Sequence, residues 1–361
     1  MNNILMRNPK TEAYSAEAGA SAAKAGKEWK MADTYDSIII GAGPAGLAAA
    51  LYNARDRLKT VVLEKFYAGG QIISTDRIEN YPGFEKISGP DLIEKMRKQS
   101  ENFGAEFKTG CEVKNLTRLS DGKIQVNCGK QSFVGRSVII ACGSDYRKLG
   151  VGGEEEFRTA GAGVSYCGTC DAPFFKDKKV VAVGGGNTAV EEALHVAKFA
   201  AQLTLVHRRQ EFRATKVLFE ELMQKASSPN SNIKLKLDTV VVAIQGSGKV
   251  ERVRLKNVKT GQEETLPCDG VFIFVGMIPN TGFLAGFIDL TEAGFVKCDV
   301  GFLRTKVPGV FVAGDCRIGA AMQLATAVGD GVNAAMMTKQ YLRDPAWWNK
   351  PVSDALMPGE W

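Results

Sequence analysis

Two cysteines, Cys167 and Cys170, stand two residues apart in the segment CGTCDAP. Thiols at this spacing can close a small disulfide ring and exchange it with another disulfide. In a reducing compartment, the spacing indicates a redox or metal site rather than a structural bridge. Asp171 follows directly and is the only nearby titratable group in the motif. It is the candidate acid–base residue, although a charge near a helix N-terminus is an equally good interpretation.

The remaining cysteines stand alone in the sequence, and small buried hydrophobic residues describe most of them. They are Cys111, Cys128, Cys142, Cys268, Cys298 and Cys316. A closed zinc site would need four ligands. The chain has no second Cys-x-x-Cys, and its only histidines, His195 and His207, lie in other predicted elements. We therefore predict no metal site and a redox role for the close pair.

A glycine-rich loop near the start of the chain predicts a dinucleotide site. Gly41, Gly43 and Gly46, in GAGPAG, lie between a predicted strand and a predicted helix, and Glu64 ends the next strand. These glycines let the backbone turn tightly and approach a pyrophosphate, whose charge sits at the helix N-terminus. The carboxylate of Glu64 can accept hydrogen bonds from both ribose hydroxyls of an adenosine and repels a 2′-phosphate.

A second feature, near the other end of the chain, favours FAD over NAD at this loop. Gly314 and Asp315 follow a predicted strand, and Gln323 starts the next predicted helix. In many flavoproteins a late Gly-Asp closes the flavin site, where the aspartate holds a ribityl hydroxyl. Taken alone, Asp315 also fits a turn or helix cap. Together with the first glycine loop, it predicts FAD.

A second glycine loop, GGGNTA, predicts an NADPH site. At the position that corresponds to Glu64, this copy has His207 followed by arginines. An arginine fork suits a phosphate dianion, so the cluster favours the 2′-phosphate of NADP over a merely solvated basic face. The predicted NADPH-binding residues are Gly184, Gly186, Asn187, Thr188, Ala189, His207, Arg208, Arg209 and Arg213.

The predicted elements repeat as two βαβ units. The first has strands 35–40 and 60–63 around helix 47–57, and the second has strands 179–183 and 203–206 around helix 190–200. His207 is as far from Gly184 as Glu64 is from Gly41, so the units align without a gap. This repeat predicts an α/β fold with two doubly wound, three-layer Rossmann-like domains. The alternation in 234–258 adds short antiparallel strands.

The composition is that of an ordinary globular protein and excludes few classes of function. The 361 residues are 45% apolar and 24% charged, and the net charge of +6 does not require a nucleic-acid partner. No apolar run approaches the roughly 18–20 residues of a membrane span, and the first thirty residues lack a secretory signal. We expect a cytoplasmic protein with a mobile tail over 1–30. All four tryptophans lie toward the two ends of the chain, which predicts that none belongs to a domain core.

In order along the chain, several motifs resemble those of the low-molecular-weight thioredoxin reductases, from about residue 35 to about 341. They are GAGPAG, ENYPG, CGTCDAPFF, GGGNTAVEEAL, HRRQEFRA and AGDC. The resemblance implies a homodimer with a discontinuous FAD domain, an inserted NADPH domain that carries the dithiol, and a C-terminal tail. The corresponding ranges are 31–147 with 278–342, 148–277, and 343–361.

The resemblance also implies roles for single residues. The residues that would contact FAD are Gly41, Gly43, Ala45, Glu64, Gly70, Gln71, Asn80, Asp315 and Gln323. Cys170 would face the flavin, Cys167 would attack the disulfide of thioredoxin, and Asp171 would supply protons.

The chain departs from the family in one place near the flavin. Family members usually have Arg-Gln where this chain has Met322 and Gln323, so a charge contact is either missing or replaced by Arg317.

Alternatives to thioredoxin reduction stay open at this point. The same chemistry serves another disulfide partner or a small-molecule dithiol oxidase that uses O₂. A non-catalytic nucleotide-binding scaffold is disfavoured by the intact Cys-x-x-Cys between two intact loops.

Overall fold

The computed structural model describes residues 34–75, 77–159 and 161–351, so the predicted mobile tail over 1–30 lies outside the described residues. The chain divides into two compact units. The first takes the chain up to Asp145 and again from Pro279, and the second takes Tyr146–Ile278.

The strands and helices of the described residues have the following bounds. The strands are β1 (Thr34–Ile40), β2 (Thr60–Leu63), β3 (Glu106–Lys108), β4 (Asn115–Arg118), β5 (Ile124–Cys128), β6 (Gln131–Ile140), β7 (Ser144–Tyr146), β8 (Val164–Ser165), β9 (Lys179–Gly184), β10 (Gln202–Val206), β11 (Ile233–Lys236), β12 (Thr239–Gly246), β13 (Val250–Asn257), β14 (Glu263–Pro267), β15 (Gly270–Phe274), β16 (Met277–Pro279) and β17 (Val310–Val312). The helices are α1 (Pro44–Arg55), α2 (Gly89–Asn102), α3 (Glu154–Thr159), α4 (Gly168–Asp171), α5 (Asn187–Val196), α6 (Lys216–Ala226) and α7 (Leu324–Arg343).

The first unit is built on a seven-stranded sheet in the order β3-β2-β1-β6-β5-β4, with β17 also paired to β6. Strands β1, β2, β3, β6 and β17 run parallel, while β4 and β5 form antiparallel pairs. The central strands are almost continuously apolar and buried, as expected for a sheet covered on both faces. Helices α1 and α7 pack against each other, and Gly331 makes this possible because a Cβ there would lie 2.1 Å from the carbonyl oxygen of Ala45.

The second unit repeats the parallel arrangement. Its five strands run β11-β10-β9-β15-β8, all parallel, and a separate antiparallel sheet holds β12-β13-β14. The predicted α/β class with Rossmann-like units and short antiparallel sheets is confirmed. One detail of the prediction is wrong: residues 234–236 belong to the parallel sheet, because β11 pairs with β10.

The segment after α7 packs into the core of the first unit, so the prediction about the tryptophans is wrong for Trp347. This side chain is 1% exposed and its ring lies 5.3 Å from that of Phe302, centroid to centroid. The buried Arg304 donates from Nη1 to the carbonyl oxygens of Trp348 and Lys350, both at 3.0 Å. The guanidinium therefore ties the backbone of this segment to the buried side of the first unit.

Within the range predicted as a C-terminal tail, Pro345 begins a short 3₁₀ turn over Pro345–Asn349. The side chain of Asp344 caps it by accepting from the amide of Ala346 at 3.0 Å. The other two tryptophans, Trp29 and Trp361, lie outside the described residues.

The cysteines also differ from the prediction in one pair. Cys111 and Cys128, interpreted as separate residues, form a disulfide in the first unit. Their separation in sequence hid this pairing, because antiparallel pairing of β4 with β5 brings Cys128 back beside the loop that precedes β4. Among the described residues, Cys142, Cys268, Cys298 and Cys316 are free, and Cys268 and Cys316 are buried as predicted.

We predict that Trp347→Ala lowers the free energy of unfolding by about 3–5 kcal/mol, the usual cost of deleting a buried large aromatic side chain. The measurement is urea denaturation followed by circular dichroism and by release of flavin. Phe103→Ala is the matched control, because that ring is 51% exposed, and its effect should be below about 1 kcal/mol. Equal effects of the two changes would contradict the packing of this segment.

Candidate active site and cofactor-binding loops

The two cysteines of the CGTC motif are joined in a disulfide in the second unit. Cys167 caps the N-terminus of α4, and its sulfur accepts from the amide of Cys170 at 3.1 Å. An amide at a helix N-terminus stabilises a thiolate and lowers the pKa of the thiol that carries it. Of the two sulfurs, Cys167 is thus placed to be the better thiolate once the disulfide is reduced.

Asp171 ends the same helix and is held by a residue that the sequence analysis did not single out. Its Oδ2 accepts from the hydroxyl of Ser165 at 2.6 Å, and the amide of Cys167 donates to the same hydroxyl oxygen at 3.1 Å. Burial raises the pKa of Asp171, and the Ser165 hydrogen bond partly opposes this by lowering it. A carboxyl with a raised pKa holds its proton closer to neutral pH and suits acid–base work.

The two sulfurs bond to each other, and within the described ranges no group of three or more His, Cys, Asp or Glu side chains could hold a metal ion. His195 lies instead against Phe199, with 5.4 Å between ring centroids.

The second glycine loop is hydrogen-bonded to the end of the basic segment (residues 207–213) and to the residues just after it. The amide of Arg213 donates to the carbonyl oxygen of Gly185 at 2.7 Å, and the amide of Thr215 donates to Oδ1 of Asn187 at 2.8 Å. These contacts bring the arginines to the start of α5, where the loop ends. The tertiary structure therefore places the arginines beside the second glycine loop, and these are the two features of the sequence that predict NADPH.

The residues of the basic segment divide into two environments. Arg208, Arg209 and Arg213 are exposed, whereas His207 is buried under the loop, where a Cβ on Gly185 would meet its ring at 2.1 Å. Burial lowers the pKa of His207. The arginines are thus the charged side chains that a phosphate can reach. The neutral ring of His207 packs against the loop at Gly185.

The remaining residues of this loop begin α5. Gly186 caps the helix, Asn187 and Thr188 are exposed at its first turn, and Ala189 is buried. A Cβ on Gly184 would lie 2.5 Å from the Cβ of Ala189, so the glycine is needed for close packing of the helix against β9.

The first glycine loop has the features required for a pyrophosphate. Gly41 has φ +103°, and a Cβ there would lie 2.4 Å from the carbonyl oxygen of Ala141. A Cβ on Gly46 would lie 1.9 Å from the carbonyl oxygen of Gly41, whereas a Cβ on Gly43 would meet nothing within 4 Å. Two glycines thus serve packing, and Gly43 leaves open space at the helix N-terminus. Ala45, the second residue of α1, is buried.

The carboxylate of Glu64 is fixed beside this loop. It accepts from the amides of Ala42 at 2.8 Å and Phe66 at 3.0 Å. Two backbone donors orient the group where the adenosine ribose of a bound dinucleotide would lie.

The surroundings of the Asp315 carboxyl group show whether this turn could hold a flavin. Its Oδ1 is buried and finds no hydrogen-bond partner among the described residues. Burial and the charge of Asp330 raise the pKa of Asp315 to about 6. A buried oxygen without a donor is costly unless a ligand supplies one. A ribityl hydroxyl of FAD is such a donor, so the residues fit the group.

Arg317 does not replace the arginine that is absent at Met322. Its Nε and Nη2 donate to the two carboxylate oxygens of Asp330 at 2.6 and 2.8 Å, and Asp330 also accepts from the amide of Gly314 at 2.9 Å. The pair therefore anchors the Gly-Asp turn to α7. Sequence reasoning missed Asp330 because a single acid inside a helix has no motif of its own.

Other predicted flavin contacts are brought together in the first unit. The side-chain amide of Asn80 donates to Oε1 of Gln323, the N-cap of α7, at 3.5 Å. Gln71 donates to the carboxylate of Asp145 and to the carbonyl oxygen of Ser144. Gly70 is exposed at the start of a 3₁₀ turn.

Comparison with known proteins shows the family to which the chain is related. The sequence pattern of the family described as pyridine nucleotide-disulphide oxidoreductase matches residues 35–331. The chain is 41% identical to a thioredoxin reductase of Listeria innocua, over 86% of this chain and 94% of the relative. No helix among the described residues is long and apolar enough to cross a membrane.

Two solved structures are similar over most of the chain. One is a thioredoxin reductase from Streptococcus pyogenes, 41% identical with a TM-score of 0.79, over 86% of this chain and 98% of that one. The other is from Giardia duodenalis, 34% identical with a TM-score of 0.80, over 86% and 100%. The pyridine nucleotide-disulphide oxidoreductase pattern and these relatives imply FAD and NADPH as cofactors.

We predict that Ser165→Ala moves the alkaline limb of disulfide-reductase turnover to higher pH. Loss of the hydroxyl removes the hydrogen bond that lowers the pKa of Asp171, so the carboxyl keeps its proton to higher pH. The measurement is turnover from pH 5 to pH 10, with Ser165→Thr as the control that keeps a hydroxyl. A limb at the wild-type pH in Ser165→Ala would show that Asp171 does not set it.

We also predict that changing Arg208 and Arg213 together to glutamine raises the KM for NADPH while NADH use stays nearly constant. A charge-assisted hydrogen bond is worth about 1.5–3 kcal/mol, so about tenfold or more per arginine is expected. Steady-state kinetics with both nucleotides measure this. Arg252→Gln, an exposed change on β13, is the control. An undiminished preference for NADPH in the double variant would refute the phosphate assignment.

Proposed function

The chain belongs to the thioredoxin reductases of the pyridine nucleotide-disulphide oxidoreductase family, and from that premise we propose that it reduces the disulfide of a thioredoxin at the expense of NADPH. Bound FAD supplies the two-electron chemistry that connects the nicotinamide to the Cys167–Cys170 disulfide. The observation that carries the proposal is this disulfide, closed across a helix N-terminus in the unit that also holds the second glycine loop.

The thiol chemistry assigns different roles to the two sulfurs. After reduction, the thiolate of Cys167 attacks one sulfur of the thioredoxin disulfide, and the other thioredoxin sulfur leaves as a thiolate. Cys170 then attacks Cys167 in this mixed disulfide, which re-forms the ring and releases the second thioredoxin sulfur. Two electrons and two protons pass to thioredoxin. Asp171, with its raised pKa, is the proposed source of a proton for a leaving thiolate.

The two units take the two cofactors in this proposal. The FAD domain comprises 31–147 with 278–342, and the NADPH domain comprises 148–277. The orphan oxygen of Asp315 and the fixed carboxylate of Glu64 support the first assignment, and the exposed arginines at the second glycine loop support the other. We further propose that the enzyme acts in the cytoplasm and that it is a homodimer. Size-exclusion chromatography with light scattering would test the homodimer.

The direct test is NADPH oxidation by the FAD-loaded protein with thioredoxin as acceptor, beside glutaredoxin and O₂ alone. We expect sustained oxidation with thioredoxin and little with the other two. Faster oxidation with O₂ alone would instead indicate a dithiol oxidase, and faster oxidation with glutaredoxin would indicate another disulfide partner.

We predict different spectra for the two single cysteine variants. Cys167→Ser leaves the thiolate of Cys170, the proposed flavin-side sulfur, and should perturb the visible absorption of FAD. Cys170→Ser should leave that spectrum nearly unchanged and should trap thioredoxin on Cys167 as a mixed disulfide.

Both variants should lose turnover with thioredoxin, and both should still let NADPH reduce the flavin under anaerobic conditions. The reverse spectral pattern would exchange the roles of the two sulfurs. Full turnover in either variant would remove the pair from the mechanism.

A further inference from the structure

A carboxylate from helix α5 binds the residue that separates the two cysteines. Oε2 of Glu192 accepts from the amide of Thr169 at 2.7 Å, and Oε1 accepts from its hydroxyl at 2.8 Å. Glu192 thus takes both donors of Thr169. The amide of Cys170 stays available to the sulfur of Cys167.

The surroundings of Gly168 provide room for this carboxylate. A Cβ on Gly168 would lie 2.4 Å from Oε2 of Glu192, 3.0 Å from Val196 and 3.2 Å from Phe274. Because glycine lacks that atom, α4 sits close enough to α5 for the carboxylate to reach Thr169. The close approach at Gly168 therefore helps to place the turn that carries the two cysteines against α5.

The other titratable side chains on these two helices are engaged elsewhere or exposed. Asp171 is bound by Ser165, His195 lies against Phe199, and Glu191 is exposed. Glu192 is thus the acidic side chain of these two helices that is hydrogen-bonded to the middle of the CGTC turn.

We propose that Glu192 is a positioning residue that lowers the reduction potential of the Cys167–Cys170 couple. Reduction breaks the S–S bond and takes up two electrons and two protons to leave two thiols, of which Cys167 more readily forms the thiolate. The negative charge of Glu192, bound to Thr169 two positions from Cys167, disfavours that thiolate and so favours the disulfide. The dithiol is then a stronger reductant toward its partner. This role rests on the proposed function only in that the dithiol is the redox centre.

The test is Glu192→Gln in the FAD-loaded protein. Glutamine has the same shape: its carbonyl can accept from the Thr169 amide and its NH₂ can donate to the hydroxyl, so the change removes charge and keeps the contacts. We expect the equilibrium with a dithiothreitol buffer at pH 8 to shift about tenfold toward the dithiol. For a two-electron couple, this corresponds to about 30 mV less negative.

A second readout isolates the thiol. In a Cys170→Ser background, the rate of iodoacetamide alkylation of Cys167, followed by mass spectrometry against pH, gives its pKa. Glu192→Gln should lower that pKa. Glu220→Gln, which removes an exposed charge on α6, is the matched control and should leave both readouts at wild-type values. A folded Glu192→Gln protein with unchanged potential and unchanged alkylation profile would overturn the proposal.

Gly168→Ala offers an independent route if Glu192→Gln does not fold. The added methyl group collides with Oε2 of Glu192 and should displace the carboxylate, which shifts the potential in the same direction by a smaller amount. A shift in the opposite direction would contradict the electrostatic role.

Neither the redox equilibrium nor the alkylation rate uses thioredoxin or NADPH. If thioredoxin is not the substrate, this would appear in the wild-type turnover assay and would leave these two results intact.

Discussion

Close approach of a helix N-terminus to the ends of parallel strands is the constraint on which both cofactor loops depend. In the first unit, Gly46 lies against the carbonyl oxygen of Gly41, and Gly41 lies against Ala141, which directly follows the neighbouring strand β6. The second unit repeats the contact between Gly184 and Ala189. Any side chain at these glycines would push the helix away from the sheet, and the amides at its N-terminus would no longer converge on one place.

The same parallel geometry explains where the dithiol lies. Ser165 on β8 and Ala182 on β9 both stand in register with Phe272 on β15, between them. Parallel strands end at the same edge of a sheet, so Cys167, which follows β8, and the second glycine loop, which follows β9, leave the sheet on the same side. A shared edge is a physical reason for one unit to carry both the dithiol and the nucleotide loop.

Buried polar groups complete the site by fixing other groups in place. The Arg317–Asp330 pair holds the Gly-Asp turn, Ser165 holds Asp171, and Glu192 holds Thr169. Each of these contacts is bidentate or shared with a backbone amide. Ser165 and Arg317 are themselves buried, so the loss of either side chain would leave the carboxylate that it binds without that partner. Asp315 keeps a buried oxygen that finds no partner among the described residues, and it lies where a ligand is expected to supply the donor.

The sequence by itself determined the fold class, both nucleotide loops and the reactive cysteine pair, because glycine spacing, strand patterns and Cys-x-x-Cys are local signals. Only the tertiary structure decided which polar side chains hold these loops and the cysteine pair in place. Ser165, Glu192 and Asp330 are single polar residues within regular elements, and nothing in their own neighbourhoods in sequence indicates a partner. Cys128 and Trp347 were misjudged for the same reason. Pairing across a hairpin and burial against a distant arginine depend on contacts between residues far apart in the chain, which no local pattern encodes.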